Sequence, residues 1–432
     1  MPRVAKNYPF KVRRWRMTII SIIIALQDQG KFLLFLAYAR IIVLLYLDAT
    51  SKHPPPLPHL ERATFPALKR KWWRKTKGQQ KVKKHWEKFT AVDNVDRHIT
   101  LHFGPDFLIM ATTIPQFEYA PQKTSWLKRD VLLFANTIGC QPNRELHFLY
   151  ELHPNFQTFP TYPIVLTFKH TDIDTVDFLA RNASRALPPG CPKLDWGVAV
   201  DGGRGMTFLR PLPPSSEGRT WEIHSKVLNV FDKGPGKGTV MEIEHVLKQK
   251  ESGEAYTRSW ESVFFKGTGG WGGERGPKIT RYPPPSPTRK PDAVSTFQTH
   301  AETAHLYRLS GDYNPLHAIP EPGKALGYEG VIMHGLFSWN VAAQRVLSRY
   351  GDSDGPRLRD FEARFAAPVI PGDKLDILMW DMGVSNRAVD ICQENETLRE
   401  VRFVVKVGET VVLSDGRALL TNNIKDSADC KL

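Results

Sequence analysis

Asp312 and His317 place a carboxylate and an imidazole five residues apart across an Asn314-Pro315 step, and His334-Gly335-Leu336 follows downstream. A carboxylate and an imidazole that converge on one small molecule form an acid/base pair. Asn314 is a good N-cap and Pro315 a good first helical residue, since its missing N–H would have had no partner there. A short helical turn is therefore predicted from Pro315, with Asp312 in the loop before it and His317 within it. Gly311 lets the backbone approach whatever is bound. From Gly335 to Tyr350, apolar residues recur at helical spacing: Leu336, Phe337, Trp339, Val341, Ala342, Ala343, Val346 and Leu347. A helix starting at Gly335 aims its first amides, and the positive end of its dipole, at a bound carbonyl.

Tyr307, then Ser310-Gly311-Asp312, any residue, Asn314-Pro315-Leu316-His317, and later His334-Gly335-Leu336 together resemble the signature of the hydratase 2, or MaoC-like dehydratase, family. That family includes the hydratase part of the peroxisomal multifunctional enzyme type 2. The resemblance implies an α+β tandem hot-dog fold, two curled antiparallel sheets each wrapping a central helix and joined as a pseudo-dimer. It implies interconversion of a trans-2-enoyl-CoA and a (3R)-3-hydroxyacyl-CoA without metal or redox cofactor. Carried over residue by residue, Asp312 and His317 are the acid/base pair, Asn314 a positioning side chain and the Gly335 amide the oxyanion donor. Tyr313 and His334 are substrate-binding candidates, His334 also serving the start of the helix. The chain departs from the family pattern after His317: Ile319 replaces a common Asp, and Pro320, Pro322 and Gly323 stiffen the stretch.

The elements that must position this site occupy about two thirds of the chain. Residues 1–88 carry 20 Lys and Arg against 4 Asp and Glu, a net of +16. The whole chain is +14, so residues 89–432 come to −2. The basicity belongs to the extension, and with no basic domain or binding motif left, nucleic acid is not an expected partner. Cys140, Cys191, Cys392 and Cys430 lack metal-ligand or disulfide-framework spacing, which fits a reducing or peroxisomal interior.

Within the extension, the apolar pieces Met17–Leu26 and Phe32–Ala39 fall short of the roughly 20 residues a spanning helix needs. A membrane span, an interfacial anchor and a disordered extension all stay open, so membrane contact through residues 1–88 is a candidate interaction. Lys69–Lys88 mixes Trp72, Trp73 and Trp86 with ten basic residues and reads first as a solvated charge run. Residues 89–123 read as a connecting segment.

Residues 124–275 read as a first, non-catalytic half. A helix is expected over Trp126–Cys140 with Gly139 as its stop, then a strand over Leu146–Leu152 and a proline-broken apolar segment, Pro160–Phe168. Strands follow at Trp221–Phe231, Thr239–Leu247 and Ala255–Phe265. By analogy with the family, bulk around Phe156–Leu166 sets acyl length. The loop Gly267–Gly273 lacks the Lys-Ser or Lys-Thr of a phosphate loop. Residues 276–292 are a proline-rich linker. The catalytic half, 293–425, continues after its helix into strands at Arg359–Phe365, Lys374–Met382, Thr397–Val407 and Val411–Leu420. Phe208–Pro213 and Phe365–Pro371 are similar proline-bracketed turns, a weak internal repeat that suggests duplication.

Residues 426–432 form a tail whose last three, Cys430-Lys431-Leu432, resemble a peroxisomal targeting signal and point to an import receptor as partner. The acyl-CoA thioester is the expected ligand, and a homodimer is a further candidate assembly. Two rivals to the hydratase reading are a hot-dog acyl-CoA thioesterase and a thioester-binding scaffold that has lost turnover.

Overall fold

The structure is a computed structural model that describes residues 114–171, 175–183, 185–196, 199–277, 282–286, 288–385 and 397–421. The expectations for residues 1–88 and for the tail lie outside these. The first half contributes strands β1 (Phe117–Glu118), β2 (Gln122–Thr124), β3 (Ala199–Phe208), β4 (Trp221–Asp232), β5 (Gly238–Gln249) and β6 (Ala255–Lys266). The second contributes β7 (Ala293–Gln298), β8 (Leu358–Phe365), β9 (Lys374–Ser385), β10 (Leu398–Val407) and β11 (Thr410–Thr421). Seven helices run in chain order among the described residues: α1 (Lys128–Thr137), α2 (Pro142–Leu149), α3 (Leu166–Lys169), α4 (Phe178–Ala183), α5 (Thr303–Arg308), α6 (Pro320–Ala325) and α7 (Gly335–Tyr350).

All the strands join one antiparallel sheet in the order β1-β4-β5-β6-β3-β8-β11-β10-β9-β7, with β2 also on β4. The order reads the same from either end once β3 is equated with β8, β4 with β9, β5 with β10 and β6 with β11. The two halves meet where β3 pairs with β8, from Gly203 opposite Arg364 to Thr207 opposite Asp360. This is the tandem hot dog. The repeated turns fall at equivalent places, since Phe208 ends β3 and Phe365 ends β8.

Alternation within each strand sends one row of side chains into the concave face. In the second half Leu375, Ile377, Met379, Val401, Phe403, Val405, Ala418 and Leu420 close on the apolar face of α7. Burying each large apolar side chain is worth about 1.5–3 kcal/mol, so this helix is held by packing. In the first half α1 is shorter, 10 residues against 16. Gly139 ends it at φ +84°, and a Cβ there would lie 2.5 Å from the Phe297 ring.

Two expectations need correction. Leu146–Leu152 does not form a strand; α2 covers most of it. Pro142 opens α2, the Gln141 amide donates to Glu145 Oε2 at 2.6 Å, and Tyr150 N–H closes the last turn onto Leu146 O. The buried Glu145 carboxylate also accepts from Gln344 Nε2 at 2.7 Å and Ser353 Oγ at 2.9 Å, tying α2 to α7. The first-half helix expected over Trp126–Cys140 is, moreover, shorter at both ends, α1 covering Lys128–Thr137. Pro160–Phe168 forms a buried 3₁₀ turn at Tyr162–Val165 leading into α3.

Two connectors find physical explanations. Asp232 fills the glycine loop, its carboxylate accepting from the amides of Gly234, Gly270 and Gly272 at 2.7–2.8 Å. That loop folds around an internal anion. In the linker, the Tyr282 ring lies under the guanidinium groups of Arg402 and Arg417, each 4.7 Å from its centroid.

Candidate functional site

The loop after α5 is pinned at both ends. Tyr307 is buried against the rings of His334 and Phe337, 5.0 and 5.5 Å between centroids, and its hydroxyl accepts from Asn340 Nδ2 at 2.9 Å. Gly311 turns at φ +134° and lies so close to the first half that a Cβ would sit 2.6 Å from Lys169 Cβ. The site loop thus rests on the seam between the halves.

Beyond Gly311, the Asn314 amide donates to Asp312 Oδ1 at 3.2 Å, and Asn314 Oδ1 accepts from the Leu316 amide at 3.0 Å. Asn314 is the N-cap of a 3₁₀ turn over Pro315–His317. That turn carries His317 into the interior, where its Nδ1 lies 2.8 Å from Ile332 O. A carbonyl only accepts, so Nδ1 bears the proton and a neutral His317 presents the lone pair of Nε2. By the same reasoning His334 Nε2 donates to Asp312 O at 3.1 Å. His334 also caps α7, with Gly335 the first residue of that helix.

One carboxylate oxygen of Asp312 and one ring nitrogen each of His317 and His334 lie within 4.8 Å of one another. Asp312 keeps a little exposure; both histidines are buried. Burial raises the Asp312 carboxyl above its ordinary range, opposed by His317, the Asn314 amide, Arg204 and Arg181. Burial lowers His317, opposed by Asp312, and with the neighbouring His317 it holds His334 well below the usual imidazole range. The arrangement sets the Asp312 carboxyl beside two imidazoles whose burial favours their neutral form, a set that can take a proton and give it back.

Three such donors could also ligate a metal. The rings of His317 and His334, however, are stacked with centroids 3.8 Å apart and planes 29° from parallel. Their in-plane lone pairs run side by side, so an ion about 2.0–2.1 Å from both nitrogens would lie well out of each ring plane. The geometry suits a hydrogen-bonded water better.

Asp312, His317, His334 and the start of α7 therefore come together, and Asn314 shapes the turn between the first two. Tyr313 is half-buried with its ring under Arg308, 5.0 Å from the guanidinium carbon. A Cβ on Gly335 would meet the Phe365 ring at 2.9 Å. Phe365 also borders a cleft of about 510 Å³, lined by Asp201, Gly202, Lys233, Phe264 and Arg364 among others. Lys169 and Arg204, which the first half brings to the site, belong to no motif and gave no signal in the sequence.

Comparison with known proteins agrees with this architecture. Residues 284–402 match the MaoC like domain and residues 125–267 the MFE-2 hydratase 2 N-terminal domain. The chain is 74% identical over 325 residues to a probable dehydratase, NIT22, of Ajellomyces capsulatus, covering 73% of this chain and 86% of that one. It is 30% identical to a probable enoyl-CoA hydratase 2 of Dictyostelium discoideum, over 68% of this chain and 92% of that one. It is 32% identical to the mouse peroxisomal multifunctional enzyme type 2, over 68% of this chain but only 36% of that larger protein. Among solved structures, a MaoC-like dehydratase from Phytophthora capsici superposes with a TM-score of 0.58 at 30% identity, covering 72% of this chain and 97% of that one. With both family domains in order on one tandem hot dog, the chain belongs to the MaoC-like dehydratase family, in its two-domain hydratase 2 form.

Proposed function

We propose that the protein is a hydro-lyase that reversibly adds water to a trans-2-enoyl-CoA to give a (3R)-3-hydroxyacyl-CoA. The observation that carries this reading is the meeting of the Asp312 carboxylate and the His317 imidazole beside the first turn of α7. A water held between them has one neighbour to orient it and one to take its proton. Its oxygen bonds to Cβ, the electrons of the Cα–Cβ double bond move onto the thioester oxygen as an enolate, and a proton then returns to Cα. Asp312 and His317 share the two proton transfers as a coupled pair. The Gly335 amide, an unpaired first-turn donor at the positive end of the helix, faces the enolate oxygen. Lys233 and Arg364, at the cleft beside Phe365, suit the phosphates of coenzyme A.

The names of the relatives, an enoyl-CoA hydratase 2 and a 3-hydroxyacyl-thioester dehydratase, support an enoyl or 3-hydroxyacyl thioester as substrate. A peroxisomal site of action rests on the peroxisomal multifunctional enzyme relatives. Incubation with crotonyl-CoA tests the reaction type. Loss of enoyl absorbance without release of free thiol is expected. Thiol release in its place would make the protein a thioesterase, and no change in either would leave a binding scaffold.

A further inference from the structure

The concave faces of the two halves differ in a way the fold does not require. In the second half the inward rows of β9, β10 and β11 are apolar where they face α7, at Leu375, Ile377 and Met379, at Val401, Phe403 and Val405, and at Ala418 and Leu420. In the first half the inward row is interrupted by Ser225 on β4, His245 on β5, Ser259 and Glu261 on β6 and Arg204 on β3, a continuous polar band up to the seam with β8. It divides two apolar clusters, Ile223 and Leu247 on one side and Val227, Ile243 and Val263 on the other.

The band is buried: Arg204 is 3%, Glu261 4% and His245 6% exposed. Arg204 pairs with Glu261 and, at 3.0 Å, with Asp201. Arg185 reaches Glu261 at 3.4 Å while stacking on Trp196. His245 Nδ1 lies 2.8 Å from Ser225 Oγ, and its Nε2 is buried without a hydrogen bond, 3.4 Å from Glu261 Oε1. Buried ion pairs seldom improve on a well-packed apolar replacement, so stability gives no reason for the band.

Its position does. The Phe168 ring lies 5.7 Å from the Arg204 guanidinium, and the next residue, Lys169, packs against Gly311 of the site loop. α1 in the first half is 10 residues long against 16 for α7 in the second, so the first half is the side on which a substrate chain leaving the reacting carbons is placed. Resting on the proposed hydratase reading, we propose that the acyl chain taken by this enzyme bears an oxygen function, a hydroxyl or oxo group, recognised by Arg204, Glu261 and His245, rather than being an unsubstituted alkyl chain. The opposing charges of Arg204, Arg185, Glu261 and Asp201 balance, so a neutral oxygen fits better than a further carboxylate. Such an oxygen accepts from Arg204 or a protonated His245 nitrogen, and as a hydroxyl it donates to Glu261.

The test compares the full-length enzyme on pairs of trans-2-enoyl-CoAs of equal length, with and without a mid-chain hydroxyl or oxo group, and on crotonyl-CoA. The oxygenated member is expected to have a kcat/KM higher by about tenfold or more, as when a site built for a hydroxyl meets an analogue lacking one. The double variant Arg204→Met, Glu261→Leu is expected to lose that ratio. Ser225→Val with His245→Leu leaves the ion pair whole and is expected to reduce it. Equal turnover of both members of each pair, or a ratio unmoved in a folded variant of either kind, would overturn the inference. Crotonyl-CoA has no mid-chain position to carry an oxygen: its hydration without any preference among the longer pairs sinks this inference alone, and no hydration of any thioester sinks the hydratase reading as well.

Discussion

The ring of His334 donates from Nε2 to the backbone carbonyl of Asp312 at 3.1 Å, so the residue that caps α7 also fixes the loop bearing the carboxylate. The carboxylate loop and the helix mouth are held together by one contact that spans 22 residues of sequence.

Asp312→Asn and His317→Ala are each expected to lower kcat by about two to four decades, with unchanged circular dichroism. On the acid side, protonation of Asp312, whose carboxyl burial raises, and of His317, whose imidazole burial lowers, both remove the reactive form. The kcat/KM profile therefore has an acid limb that Asp312→Asn flattens. A variant with unaltered kcat would remove that residue from the mechanism.

Asp312 also bears on stability. Its folded carboxyl ionises less readily than the unfolded one, so the stability it contributes is present below the unfolded pKa and lost as pH rises through the raised folded value. At neutral pH the ionised group is a cost. Asp312→Asn is expected to raise Tm at pH 7–8, with the gain shrinking in acid, and a Tm lowered at neutral pH would contradict the electrostatic account.

Gly335→Ala adds a methyl 2.9 Å from the Phe365 ring. The ring or the helix start must shift, and misplacement near 1 Å costs about 100-fold in rate. A loss of that order is expected in kcat more than in KM, with partial recovery in Gly335→Ala, Phe365→Leu. Full activity in the single variant would show that the amide has no positional demand.

Glu145→Ala would leave Gln344, Ser353 and the Gln141 amide without their shared acceptor. Each unsatisfied buried group costs roughly 1–3 kcal/mol, so a clear fall in the urea midpoint is expected. Little change would mean that the α2–α7 joint contributes nothing to stability.

The sequence made the second half legible because its signals are local and agree. The Leu336, Phe337, Trp339, Val346 and Leu347 spacing defines α7, and the strand runs of that half alternate cleanly. Leu146–Leu152 misled because Leu146, Phe148, Tyr150 and Leu152 fall at every second position, whereas the helix is tied down by Glu145 meeting Gln344. β3 escaped notice because Gly202, Gly203 and Gly205 look like a loop, yet the Trp260 ring covers Gly205 so closely that a Cβ would sit 2.1 Å from its Nε1. The motif gave Asp312 and His317 directly. It gave neither the His334 contact to the Asp312 carbonyl nor the polar band, because both depend on residues far apart in the chain.

Chiral analysis of the product formed from trans-2-enoyl-CoAs of graded length tests the central claim most directly. The account predicts a (3R)-3-hydroxyacyl-CoA, formed by the wild type and absent with Asp312→Asn; an S product, or R product undiminished in that variant, would contradict it.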